Sequence, residues 1–152
     1  MLKSVDEYQK EAHDDLDFDL LQFEEYSKSI GLKRVKWGRY LFEEEYALNI
    51  LRDQMQEKYK DRFRYYAYQY SDEKVDKKFL DIYIKGDAEY REVEKKYNVQ
   101  KSRVDFVQSV LNTLDKQSFH CSNVLKHKAY FNAAYLPETP DKRRFRDELF
   151  NG

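Results

Sequence analysis

Residues 58–70 read Lys-Tyr-Lys-Asp-Arg-Phe-Arg-Tyr-Tyr-Ala-Tyr-Gln-Tyr, and this run carries the most evident chemistry in the chain. Four cations (Lys58, Lys60, Arg62, Arg64) alternate with six aromatics (Tyr59, Phe63, Tyr65, Tyr66, Tyr68, Tyr70). Cations neutralise phosphates and release their counterions. Aromatic rings stack on unpaired bases with little sequence preference. The pattern therefore suits a single-stranded nucleic acid. It equally suits a helix whose aromatics face a core and whose cations face water. The candidate strand-binding residues are Lys58, Lys60, Arg62, Arg64, Tyr65 and Tyr68. If the run is helical, Phe63 and Tyr66 are expected to pack, with Tyr65 and Tyr68 outward.

Other site chemistry is missing from the sequence. It has no Gly-rich phosphate loop, Walker motif or GxSxG elbow. No Glu-x-x-His pair occurs, against a di-metal carboxylate bundle. His120, Cys121 and His127 are a thin ligand set at poor spacing, so neither a metal nor any other cofactor is expected. Glu43-Glu44-Glu45 reads as a solvated helix face. An enzyme is not expected.

The elements that must position the run are helical. The 152 residues contain only four Gly and two Pro, which favours long helices over a turn-rich sheet protein. Charged residues make up 38% and the mean hydropathy is -0.99, so the core is thin or partner subunits bury part of the surface. Much of the apolar content is aromatic, with 14 Tyr and 10 Phe, and tyrosine serves interfaces as well as cores. The net charge of -1 hides a segregation. Residues 1–31 carry nine acidic and three basic side chains, residues 32–70 six and nine, and residues 91–135 four and eight. Such a chain can hold an anion on one surface and a basic partner on another. Cys121 is the single cysteine, which suits a reducing cytosol. No apolar run approaches a membrane span, so a soluble protein is expected.

Ser4 with Glu7 forms a capping-box signature for a first helix to about His13. The acid–apolar alternation of residues 14–19 reads as a linker pinning Leu16 and Phe18 into a groove. A second helix is expected from Leu20 to Ile30, ended or turned at Gly31. A third begins at Leu32, its stripe running through Trp37, Leu41, Leu48, Leu51 and Met55, then Tyr59, Phe63, Tyr66 and Tyr70. Beyond residue 64 a strand alternation fits as well. Residues 71–76 break the helix, and Phe79 to Ile84 is an apolar element of undetermined type. Asp87 is an N-cap signal for a helix reaching about Phe131. Its heptad seam runs Val93, Tyr97, Gln100, Val104, Val107, Leu111, Leu114, Ser118, Cys121 and Leu125. Val104, Val107, Leu111, Leu114 and Leu125 are the candidate subunit contacts. The fold class is mainly α, with residues 1–135 as one helical binding and assembly domain. Residues 136–152, with the cluster Lys142 to Arg146, are expected to be a flexible tail.

With these pieces placed, the chain resembles the UvsY recombination mediators of T-even-like tailed phages. Gln9, Glu11, Asp15 and Asp19 fall on family positions. Lys36-Trp37 matches a Lys-Trp pair at the family's distance from a Lys-x-Arg-x-x-Tyr-Tyr block, here Lys60, Arg62, Tyr65 and Tyr66. Asp105-Phe106, Leu111, Phe119 and Ala129 coincide along an ungapped last helix from Asp87 to Ala133. Residues 71–86 and the tail do not align. The resemblance implies a non-catalytic protein in the cytoplasm of the infected bacterial host. It implies binding of single-stranded DNA, contact with the phage single-strand-binding protein and loading of a RecA-like recombinase. It also implies assembly into hexameric or heptameric rings. The family's DNA-binding Lys and Arg carry over to Lys60 and Arg62; Arg64 is added on charge, since the family pattern has an acid there. A helical scaffold module without DNA binding is the alternative. It accounts for the seam and the charge segregation but not for the shared spacing.

Overall fold

The computed structural model describes residues 2–18, 22–70 and 75–135, with side chains through residue 130. The described chain forms four helices: α1 (Val5–Leu16), α2 (Phe23–Tyr68), α3 (Lys77–Gly86) and α4 (Ala88–Tyr135). No strand occurs among the described residues.

The α1 start follows the sequence signal. Ser4 Oγ accepts from the Glu7 amide, and the Ser4 amide donates to Glu7 Oε2 at 2.7 Å, closing the capping box. The helix continues past His13, so residues 14–16 are helical, and among the described linker residues Asp17 and Phe18 leave it, Asp19 lying outside the described residues. Leu16 and Phe18 pack against the core as expected. Phe18 meets Tyr26 edge-on, with ring centroids 5.1 Å apart.

α2 differs more from expectation. It passes through Gly31 and Gly38 without a break, and neither glycine has positive φ. A glycine stops a helix when its left-handed backbone closes the last turn; here the apolar stripe continues on both sides and packing overrides the weak propensity. The helix also runs to Tyr68, excluding the strand alternative. Phe79 to Ile84 lies within α3, capped by Asp76 accepting from the Lys78 amide at 3.1 Å.

α2 and α4 form a long antiparallel pair. Bridges fix the direction: Glu24 to Lys128, Arg34 to Asp115, Glu44 to Arg103 and Lys58 to Glu89. At 1.5 Å per residue each helix is roughly 70 Å long. α1 lies across one half of the pair. There Tyr8, Ala12, Tyr26, Ile30, Trp37, Val107, Val110, Leu114 and Cys121 make the main core. α3 closes the other half, where Leu48, Leu80, Ile84 and Tyr90 are buried.

Two polar side chains, Glu44 and Gln100, are buried between α2 and α4. Glu44 is 0% exposed, so it is no solvated face. Arg103 holds it through two bonds, Nε to Oε2 at 2.9 Å and Nη2 to Oε1 at 2.6 Å. Gln100 donates to the Glu44 carbonyl oxygen at 3.0 Å and also to its carboxylate. Burial pushes the Glu44 carboxyl up, but Arg103, Gln100 and Tyr8 outweigh it and hold it below the usual carboxylate range.

Candidate nucleic-acid interface

The four cations of the basic–aromatic run divide by helical rotation. Lys58 and Arg62 are one turn apart on the side facing α4, and a carboxylate group awaits them. Lys58 Nζ lies 3.0 Å from Glu89 Oε2. Arg62 lies 3.0 Å from Asp61, 3.4 Å from Glu89 and 3.8 Å from Asp87. Its side chain is 18% exposed, and its guanidinium stands 5.1 Å over the Tyr65 ring. The hydrogen bond to Asp61 leads in raising the Arg62 pKa above its ordinary value.

Asp87 organises this corner. Its Oδ1 accepts from the amides of Glu89 (2.9 Å) and Tyr90 (3.1 Å), starting α4 as the sequence predicted. Its Oδ2 accepts from the Tyr66 hydroxyl at 2.9 Å. Burial raises the Asp87 carboxyl, but these bonds and Arg62 prevail and hold it low. Burial and this bond push the Tyr66 hydroxyl up to about 12.

Lys60 and Arg64 face the other way. Both are exposed, and neither has an ion-pair partner among the described residues. They lie on a ridge of five residues at four-residue spacing, Arg52, Gln56, Lys60, Arg64 and Tyr68, every member of which is exposed. Phe63, 38% exposed, lies beside it, and Tyr68 is 76% exposed. Phe63 is thus outward, contrary to the expected packing. Tyr65 is half-buried, its ring meeting Tyr66 at 5.0 Å and Tyr70 at 6.0 Å. Arg52 was not singled out from the sequence, although its spacing of two four-residue steps from Lys60 was there to read.

Other selected residues are structural within the chain. Lys36 pairs with Asp15 and lies 3.7 Å from Glu11, while Trp37 Nε1 donates to Asp15 Oδ2 at 2.8 Å. Four of the positions carrying the family resemblance thus meet at one α1–α2 contact. On α4, Val107 and Leu114 are fully buried against the chain's own α1 and α2. Val104 and Leu111 are half-buried and Leu125 is exposed, so only these three retain surface for a second copy. No group of His, Cys, Asp and Glu able to hold a metal ion occurs among the described residues. Burial pushes the Cys121 thiol up. No described helix is long and apolar enough to cross a membrane. The tail cluster Lys142 to Arg146 lies outside the described residues.

The fold and this corner define an all-helical class of protein, a long antiparallel helix pair with an exposed basic–aromatic ridge on one helix. The family model for the recombination, repair and ssDNA binding protein UvsY matches residues 11–133, and the chain belongs to that family. The fold is similar to crystal structures of the bacteriophage T4 recombination mediator protein UvsY. One crystal form gives a TM-score of 0.74 at 15% identity, covering 86% of this chain and 98% of that one. A second gives 0.71 at 14% identity, covering 84% and 98%. No curated protein matches by sequence.

Proposed function

We propose that the protein is a phage recombination mediator that binds single-stranded DNA along the outer ridge of α2. The observation that carries this reading is that Lys60 and Arg64, beside exposed Phe63 and Tyr68, have no ion-pair partner among the described residues. Cations already neutralised within the chain contribute little to a phosphate; these two remain available. Family membership supports the role. The protein acts by binding rather than catalysis, in the cytoplasm of the infected host.

A strand coated by a single-strand-binding protein is closed to a recombinase. A homo-oligomeric ring, hexameric or heptameric, presents one ridge per subunit, and linked weak sites gain avidity without stronger contacts. The strand held along these ridges is loosened from its coat protein and offered to a RecA-like recombinase.

The test is fluorescence anisotropy of labelled oligo-dT at several salt concentrations. About three phosphates per subunit give a log–log slope of about -2, at roughly -0.7 per phosphate. No binding at low salt overturns this reading. It leaves the alternative, a helical assembly module, which the exposed apolar residues of α2 also favour.

A further inference from the structure

The ridge carrying Lys60 borders a recess between α2 and α4. It holds about 280 Å³ and is lined by Met55, Gln56, Tyr59, Lys60 and Tyr90. That is the small end for a ligand pocket, suited to one flat heterocycle. The Tyr59 and Tyr90 rings meet edge to face at 6.0 Å. Both are held before anything binds. The Tyr59 hydroxyl donates to Asp81 Oδ1 at 3.2 Å. Tyr90 is 7% exposed, its amide fixed by Asp87. Little ordering cost therefore falls on binding. Met55 adds a polarizable sulfur that packs well against rings. At the rim the exposed Gln56 amide offers both donors and an acceptor, which meets the edge of any base. Lys60 supplies a cation without a carboxylate partner among the described residues.

We infer that this recess is a nucleobase subsite, in which one base of the strand lodges against Tyr59 and Tyr90 while Lys60 takes its neighbouring phosphate. The inference rests on the proposed strand binding and adds to it a base contact per subunit. Gln56 accepts any base, so the subsite reads single-strandedness rather than sequence. A paired base is stacked within its duplex and cannot enter.

The experiment compares oligo-dT with an oligomer of the same length built from abasic tetrahydrofuran units. The two carry the same phosphates and differ in bases alone. The full-length protein is expected to bind the abasic strand roughly tenfold or more weakly, with the same salt slope. Tyr59→Ala should remove most of that difference and Gln56→Ala part of it, while Lys60→Ala lowers the slope on both strands. Circular dichroism checks that Tyr59→Ala stays helical, and Gln56→Ala alters an exposed position without adding a charge beside Lys60. A 2-aminopurine placed in the strand should be quenched by the wild type and not by Tyr59→Ala. Equal binding of the two strands overturns the subsite and leaves phosphate binding standing. So does a base preference that survives both variants. A change in sedimentation with either variant, without loss of base preference, assigns the recess to a neighbouring subunit. Failure to bind either strand overturns the proposed function with it.

Discussion

Lys58 and Arg62 on one side, and Lys60 and Arg64 on the other, differ only in rotation about α2, yet their chemistry diverges. The first pair joins α2 to the start of α4 through Asp87 and Glu89. The second pair stands in solvent. Lys60→Ala with Arg64→Ala should therefore flatten the salt slope by about 1.4, two phosphates' worth. Unfolding should move by no more than about 0.5 kcal/mol, as for surface changes elsewhere. Arg62→Ala should do the reverse, costing about 1 kcal/mol in denaturant unfolding as its ion-pair network is lost, with a smaller effect on the slope. If Arg62→Ala alone abolishes DNA binding in a folded protein, the division is wrong. Glu44 has a different kind of consequence. Its carboxyl is held below the 4.5 of a free glutamate, so its contribution is complete above that value and is lost as pH falls through the lowered one. Arg103 stays charged throughout. Glu44→Ala should cost about 3 kcal/mol, because it leaves Arg103 without its buried partner. Urea unfolding on either side of pH 4.5 should show the wild type losing stability with acid and the variant losing less.

The helices were largely legible in the sequence because their signals are local. The Ser4 box and the Asp87 cap both stand where side-chain chemistry placed them. Gly31 misled because a glycine carries its stop signal only when the backbone turns left-handed, and here the packing of α2 along α4 keeps it helical. No side chain lies within 4 Å of a Cβ built at Gly31 or Gly38. Alanine at either should thus stabilise the isolated subunit by about 0.5–1 kcal/mol, through helix propensity and a less flexible unfolded chain. Thermal unfolding of dilute protein measures this, and destabilisation at both sites would reveal a strained backbone there. Glu44 was misread for a related reason. Three adjacent glutamates look solvated, but Glu44 sits seven residues after Trp37 and four before Leu48 on the buried stripe. Gln100, which with Ser118 is one of two residues that weaken the α4 seam, is the residue that meets it. Two polar interruptions on two stripes were legible; that they face one another depends on the register of the α2–α4 pair. The division among Lys58, Lys60, Arg62 and Arg64 was hidden likewise, since it depends on where Asp87 and Glu89 arrive.

As a whole, the molecule buries one stripe of α2 and leaves another bare. Leu32 (77% exposed), Val35 (73%), Phe42 (72%), Tyr46 (64%) and Ile50 (43%) recur at successive steps of three, seven, four and four residues, each a whole number of helical turns to within a residue, away from the core. Large apolar side chains aligned in this way mark an interaction surface. The α4 seam is a weaker candidate, because Val107 and Leu114 already pack within the chain. The ring proposed above, closed by repetition of one contact, needs a face on every subunit, and we propose this stripe for it, because using it leaves the monomer core undisturbed. Val35→Glu with Phe42→Glu should therefore reduce the sedimenting mass while circular dichroism stays helical. Leu111→Glu with Leu125→Glu on α4 should have the smaller effect on mass. The first pair should also weaken binding to long strands by about 100-fold or more, the loss of avidity. Its salt slope per subunit should not change, because Lys60 and Arg64 lie farther along the helix. An assembly of unchanged mass in the first variant would move the subunit contact off α2, and long-strand affinity would then have to arise within a single subunit's ridge.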